Sequence, residues 1–268
     1  MMYPLEEHKL DSRSIIHPKA KIGKNVTIGP FNIIGPDVTI GDNCHIHSHC
    51  VFDGIITVGK NNIFHSFCSI GTPPQDLSYK DAPTRVEIGN NNIFREYVSI
   101  HRGTTKQDCL TKLGDDCLVM AYAHIGHDVT VGNKVRITNA VNLAGHVVIG
   151  DNTIINGATN VAQFVTLGVA SYIGGASAVD RDIPPYCTAI GNRIRLKGIN
   201  IIGMRRMGHP KQDISEVVDF FKSIESSSLS PRTFVQHHEL MVEYEKNAVI
   251  KEIAQFIKDS EIGIAPFA

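Results

Sequence analysis

The chain has 268 residues, 42% of them hydrophobic, which is enough to bury a sizeable core. Its formal net charge of −1 excludes a broad nucleic-acid surface or a polybasic membrane surface. It shows no apolar run of membrane-spanning length, no signal-peptide pattern and no disulfide framework among its six cysteines, so the expectation is a reduced, cytoplasmic protein without stable membrane insertion.

A bulky aliphatic or aromatic residue recurs at every sixth position: Ile16, Ile22, Ile28, Ile34, Ile40, Ile46, Phe52, Val58, Phe64, Ile70. The pattern resumes at Ile88, Phe94 and Ile100, and after one insertion it runs from Leu113 to Val179. Period six fits neither a helix nor a simple alternating strand; it predicts a hexapeptide solenoid, a parallel β-helix. Each unit supplies one short strand and one corner, and three units close a triangular coil of eighteen residues. Small or β-branched residues two positions before each aliphatic share its inward face, as strand alternation requires. Cys44, Cys50, Cys68 and Cys117 occupy that position and read as core filler. Glycine often follows the aliphatic, as at Gly23, Gly41 and Gly59, which suits a corner needing unusual backbone angles. About eight coils at the ordinary strand spacing give a prism roughly 40 Å long.

Two breaks interrupt the repeat. The pattern is lost near 72–86, which reads as one coil's worth of chain thrown outward, and again over the polar stretch near 102–112. Loops that interrupt a strict solenoid are where binding concentrates.

The repeat ends near Pro184-Pro185, so the β-helix is assigned to 1–191 and a small helical domain to 192–268. Asn192 to Gly208 is predicted as a short helix carrying Arg193, Arg195, Lys197, Arg205 and Arg206. This basic set would suit an acidic protein or nucleotide phosphates. Ile214, Val217, Val218, Phe221 and Ile224 fall at helical spacing, as do Val249, Ile250, Ile253, Phe256 and Ile257. The Ser226–Ser228 run is a turn, with Pro231 opening the next helix. These helices would cap the prism and cover its exposed strand edge.

Thirteen histidines each need an explanation. His47, His65 and His101 differ by multiples of eighteen, which stacks them in one column like a zinc cluster. Only adjacent coils approach ligand distance, however, so no metal is expected there. His124-Ile125-Gly126-His127-Asp128 is more informative. Eighteen-residue stacking brings His127, Asp128, Gly145, His146 and Gln163 to one corner. A histidine beside a carboxylate that fixes its tautomer is a general-base arrangement, and a bare Gly145 leaves a backbone N–H open to an oxyanion. A polar corner of solvated histidines is the plain alternative.

Several ordered segments resemble the UDP-N-acetylglucosamine acyltransferases. They are Ser99-Ile100-His101-Arg102-Gly103-Thr104, His124 to Asp128, Leu143-Ala144-Gly145-His146, Pro184-Pro185-Tyr186, and the loop containing Gln75-Asp76-Leu77 and Pro83 to Gly89. The resemblance covers about Ile16 to Gly208. It implies a left-handed β-helix, an exception to the usual right-handed crossover. It also implies a homotrimer with active sites between subunits, and transfer of a (R)-3-hydroxyacyl group from acyl carrier protein to the sugar 3-hydroxyl, the first step of lipid A synthesis. His127 would be the general base, Asp128 its orienter and Gly145 the oxyanion donor. His124, His146 and Gln163 would position donor or acceptor, Asp76 would hold the sugar, and Asn200 and Arg206 would bind substrate. Gly175 aligns with the position that limits acyl length, and a glycine there implies a long chain. No metal or cofactor is implied, because the carrier-bound thioester already has a good leaving group.

The chain departs from the family pattern at Ser78, usually a lysine; at Ala162, usually a histidine; and at Ile202 and Met207, usually a glutamate and an arginine. Base, orienter and oxyanion donor are intact while acceptor contacts differ. The family resemblance implies UDP-N-acetylglucosamine as acceptor, while the departures argue for retained acyl transfer with some change there, either a 3-amino sugar nucleotide or a weaker paralogue of the usual enzyme. A zinc-dependent carbonic anhydrase of this fold and a non-catalytic scaffold are the competing classes. Gly175 stacks with Gly157 and Asn139 on a different face from His127, so one chain alone would not line a single groove with both.

Overall fold

A computed structural model describes residues 10–268. The first nine residues of the predicted β-helical segment lie outside the described residues. Strands of two to five residues assemble into three sheets of nine, eight and ten strands, one for each face of a triangular prism. The first sheet begins at Ile15–Ile16, the second at Lys21–Ile22 and the third at Thr27–Ile28. Parallel pairing in steps of eighteen, such as Ile28 on Ile46, stacks the coils as the period requires. The periodic residues line a continuous interior in which Phe64 stacks on Phe94 at 4.6 Å and meets Phe52 edge-on at 5.0 Å.

The corner glycines serve a different purpose from the one expected. Backbone with positive φ falls three positions after the inward residue, on Asn25, Asn43, Asn61 and Asn91 at one corner and on Phe31, His49, Phe67 and Tyr97 at another. The glycine is needed for close approach. A Cβ on Gly59 would lie 2.6 Å from the Gly89 carbonyl oxygen of the next coil. Asparagine tolerates the left-handed conformation, and here its side chains form a ladder, with Asn43 donating to Asn61 at 3.2 Å and Asn61 to Asn91 at 2.9 Å.

The four inward cysteines are core filler, as expected. Each thiol is free and donates to a carbonyl of the next coil at 3.2 Å, for example Cys50 to His65 O.

The two breaks are corner excursions, not displaced coils. Ile88 pairs with Val58, thirty positions away instead of eighteen, so the first excursion adds twelve residues to one corner. Leu113 pairs with Ile88, twenty-five away, so the second adds seven. Arg85–Ile88 and Leu110–Leu113 are strands, which trims both loops at their C-terminal ends. Both excursions leave the corner between the first and second sheets, in successive coils. This overturns the predicted histidine column. His47 and His65 do stack at 4.7 Å, but His101 lies at the end of a first-sheet strand and meets His124 instead, ring centroids 4.7 Å apart.

The predicted helix over Asn192 to Gly208 is also corrected. Arg195–Ile199 is a strand, antiparallel to Cys187–Ile190, that closes the third sheet. Only Ile201–Arg206 is helical (α1), capped by the Asn200 side chain on Gly203 N–H. Then follow α2 (Lys211–Ser226), α3 (Pro231–Gln236), α4 (His238–Met241) and, after a single 3₁₀ turn, α5 (Ala248–Asp259). Ile214, Val217 and Phe221 of α2 and Val249, Ile250, Ile253 and Ile257 of α5 are buried at the predicted spacing. Pro231 opens α3 behind a Ser230 cap. The chain end returns to the prism, where Ile264 bridges Asp182 and Phe267 bridges Leu196, covering the last coil.

Candidate active site

Five successive coils contribute to the corner between the first and second sheets. From the N-terminal side these are the 73–84 excursion, the 102–109 excursion, His127-Asp128, Gly145-His146 and Gln163-Phe164. His127 and Asp128 are both buried, 7% and 3% exposed. Asp128 adopts the left-handed backbone of the corner, φ 58°, and its carboxylate lies 2.9 Å from its neighbour's Nδ1. A carboxylate only accepts, so Nδ1 carries the proton and Nε2 keeps its lone pair for a substrate.

The second excursion holds Asp128 in place. Thr104 donates its N–H to Oδ1 at 2.9 Å and its hydroxyl to Oδ2 at 2.6 Å. Thr111 Oγ1 accepts the Asp128 N–H at 2.9 Å. The same loop reaches two further groups at this corner. Gln107 Oε1 lies 2.8 Å from His146 Nδ1, and Lys106 Nζ lies 2.6 Å from Asp76 Oδ2. Arg102 pins the two loops together, donating to Tyr79 OH at 3.0 Å and to Gly71 O at 2.9 Å. Motif reasoning gave no role to Thr104, although it ends the 99–104 segment, and missed Lys106, Gln107 and Thr111. The polar character of 102–112 was the available signal, but only the extra seven residues carry that loop over the His127–Asp128 corner.

Gly145 sits directly against His127, where a Cβ would lie 2.7 Å from its Nε2. The flanking N–H groups of Ala144 and His146 bond to Val161 O and His127 O, each at 3.0 Å. The Gly145 N–H has no hydrogen-bond partner among the described residues, so a free donor stands beside the His127 ring, an arrangement able to receive an anionic oxygen. His146 stands edge-on to His127 at 5.1 Å and stacks on exposed Phe164 at 4.7 Å. His124 shares a hydrogen bond of 2.8 Å with Ser99 Oγ. Burial lowers the pKa of His124 and His146, and His127 lowers both further. His101 is pushed down to about 4, first by burial and then by His124 and His127. Gln163 is exposed in the column of Gly145.

His127, Asp128 and His146 bring ligand atoms within 4.8 Å of one another. A metal there would have to displace the His127–Asp128 and Thr104–Asp128 bonds, so this donor set fits acid–base work better than a metal.

The remaining predicted residues lie at other corners. Gly175 is exposed between the third and first sheets, stacked on Gly157, whose carbonyl oxygen lies 3.3 Å from a Cβ built there. Asn200 and Arg206 line a groove of about 400 Å³ with Lys134, Arg136 and Asn152, between the second and third sheets. Asn200 also donates to Ala170 O at 2.9 Å, so its amide ties α1 to the prism as well as capping it. The basic set does not form one helix face. Arg195 bonds Phe267 O from a strand, Arg193 lies 3.7 Å from Asp180, and Arg205 and Arg206 end α1.

Comparison with known proteins agrees with this geometry. A model of UDP-N-acetylglucosamine O-acyltransferase domain 2 matches 182–265, and a bacterial transferase hexapeptide model matches 11–54 and 110–145. The acyl-[acyl-carrier-protein]–UDP-N-acetylglucosamine O-acyltransferase of Alkalilimnicola ehrlichii is 42% identical over 96% of this chain and 98% of its own. That of Thermodesulfovibrio yellowstonii is 38% identical over 96% and 99%. The chain belongs to the UDP-N-acetylglucosamine O-acyltransferase family. Solved family members superpose closely. The Francisella novicida enzyme has a TM-score of 0.91 at 33% identity over 96% of this chain and 94% of its own, and the Bacteroides fragilis enzyme 0.91 at 36% over 95% and 99%. As in this family, the prism is a left-handed parallel β-helix followed by a helical domain. Among the described residues, no helix is long and apolar enough to cross a membrane.

Proposed function

We propose that this acyltransferase moves a (R)-3-hydroxyacyl group from acyl carrier protein to the 3-hydroxyl of UDP-N-acetylglucosamine, the opening step of lipid A synthesis, in the cytoplasm. The observation that carries the reading is the His127–Asp128 pair with its free Nε2 directly against Gly145. Nε2 takes the proton of the acceptor hydroxyl as that oxygen attacks the thioester carbon. The carbonyl oxygen becomes an oxyanion facing the Gly145 N–H. Collapse breaks the C–S bond, and the imidazolium returns its proton to the departing sulfur. Asp128 supports the transient imidazolium charge without taking its proton, which is why its anchoring by Thr104 matters. General-base assistance of this kind is worth on the order of 100- to 10,000-fold. No metal or cofactor enters these steps.

The working unit is a homotrimer. The base, the acyl-limiting Gly175 and the groove of Asn200 and Arg206 occupy three different corners of one prism. One ligand cannot touch three separate parallel edges of a single convex prism at once, whereas neighbouring copies can bring different corners to one cleft. Arg206, with Lys134 and Arg136, suits the phosphates of the nucleotide, and the exposed Gly175 leaves room for a long acyl chain.

Incubating the purified protein with UDP-N-acetylglucosamine and a series of 3-hydroxyacyl carrier proteins, with products read by mass spectrometry, tests the reading. Ester product, abolished in His127→Ala, supports it. Product only with a 3-amino sugar nucleotide would reassign the acceptor. Silence with both acceptors would overturn the reading, as would a fully active monomer for the trimer.

A further inference from the structure

We propose that Lys106 binds the acceptor, its ammonium standing on Asp76 over the catalytic corner to receive the sugar-phosphate end of a nucleotide diphosphate. The inference rests on the acceptor reading above and adds a residue to it. Asp76 is gripped on both oxygens. Ser78 N–H and Ser78 Oγ donate to Oδ1, each at 2.8 Å, while Lys106 Nζ lies 2.6 Å from Oδ2. The two partners are unequally covered, the Asp76 side chain 12% exposed and that of Lys106 53%. The anion is therefore sheltered and the cation faces outward. An ammonium has three N–H donors, and Asp76 takes one, leaving two for oxygen atoms of a ligand.

The backbone that carries Lys106 is fixed on both sides by the site itself. Thr104 is bonded to Asp128, and Gln107 to His146. A cation presented from a segment already held in place loses little freedom when a ligand arrives. Gln107, next in the chain to Lys106, lies 2.8 Å from His146 Nδ1, which keeps the pair's segment at the same corner as His127. An ion pair whose cation is half exposed contributes little to stability by itself, so a tether between loops is a weak reason for it.

The test separates the charge from the tether. Michaelis constants for UDP-N-acetylglucosamine and for the hydroxyacyl carrier protein are measured in the whole enzyme, in Lys106→Ala, and in Lys106→Ala with Ser78→Lys. A lysine at 78 stands on the same loop as Asp76, so it returns a cation to that carboxylate without returning the bridge between loops. Losing a charge-assisted contact should raise the acceptor KM about tenfold or more. The donor KM should stay within about twofold, and the lysine at 78 should recover most of the loss. An acceptor KM within about twofold of the parent in Lys106→Ala would overturn the proposal. So would a rise in both constants, with a lower unfolding midpoint, that Ser78→Lys does not repair. An unaltered enzyme inactive on this acceptor would instead defeat the function on which the inference rests.

Discussion

A Cβ on Gly145 would lie 2.7 Å from the Nε2 of His127, so this corner has room for the imidazole only because residue 145 has no side chain. The base and the open N–H come from adjacent coils, and their spacing is that of stacked strands. Gly145→Ala should push the imidazole aside while the coil itself still forms. Displacement of a catalytic group by about 1 Å can cost on the order of 100-fold. A loss of that size in kcat with an unchanged circular dichroism spectrum is expected. Near-normal turnover would show that the imidazole has another place to go.

Thr104 acts through Asp128, so its removal should be felt in catalysis more than in binding. Thr104→Val deletes the 2.6 Å hydroxyl bond to Oδ2 and leaves the backbone N–H in place. A hydrogen bond to a charged group is worth about 1.5–3 kcal/mol, so kcat should fall by about tenfold or more. Thr104→Ser should restore most of it and return the pH profile of kcat/KM to that of the parent. A valine variant with a parental pH profile would mean that the backbone contact alone orients the carboxylate.

Acid should weaken the fold through its buried imidazoles. Burial brings His101 down from 6.5 to about 4, and it also lowers His124 and His146. Between those two pH values the unfolded chain binds the proton and the native chain does not. This contribution to stability is therefore complete above about 6.5, declines as pH falls toward about 4, and levels off below. Urea midpoints followed from neutral pH downward should show that slope, and His101→Asn should flatten it. An equal slope in that variant would assign the acid sensitivity to other groups.

The interior aromatic stack should dominate coil stability. Phe64 is fully buried between Phe52 and Phe94, so Phe64→Ala should cost about 3–5 kcal/mol in chemical denaturation. Phe31, half exposed on a corner, should cost much less when truncated. Equal losses would mean that the exposed corner rings are buried in the assembled protein.

Gly175→Met should shorten the preferred acyl chain. Beyond its own chain neighbours, a Cβ there meets no atom closer than Gly157 O at 3.3 Å, so a small shift of the neighbour lets the larger side chain project outward from this corner. Product chain lengths by mass spectrometry decide this. An unchanged long-chain preference would move the length-limiting surface elsewhere.

The coil, its corners and the stacking of His127 under Gly145 were legible from residue spacing, because every coil of the solenoid repeats one local geometry and eighteen residues always return to the same corner. The capping helices were legible for a similar reason, since Val217 and Phe221, like Ile250 and Ile253, repeat at helical spacing on one buried face. Spacing failed where the count changes. The twelve- and seven-residue excursions preserve or shift the sixfold phase without revealing which face the chain returns to, so His101 was placed with His65 when it belongs with His124. The strand at Arg195–Ile199 was hidden because its partner runs antiparallel and carries no repeat. Only the tertiary structure decided that both excursions leave the corner of His127, and that Thr104, Lys106 and Gln107 then fall on Asp128, Asp76 and His146. The physical reason is that a repeating backbone encodes its own register in residue spacing, whereas the side-chain contacts of an irregular loop depend on where its two ends are anchored.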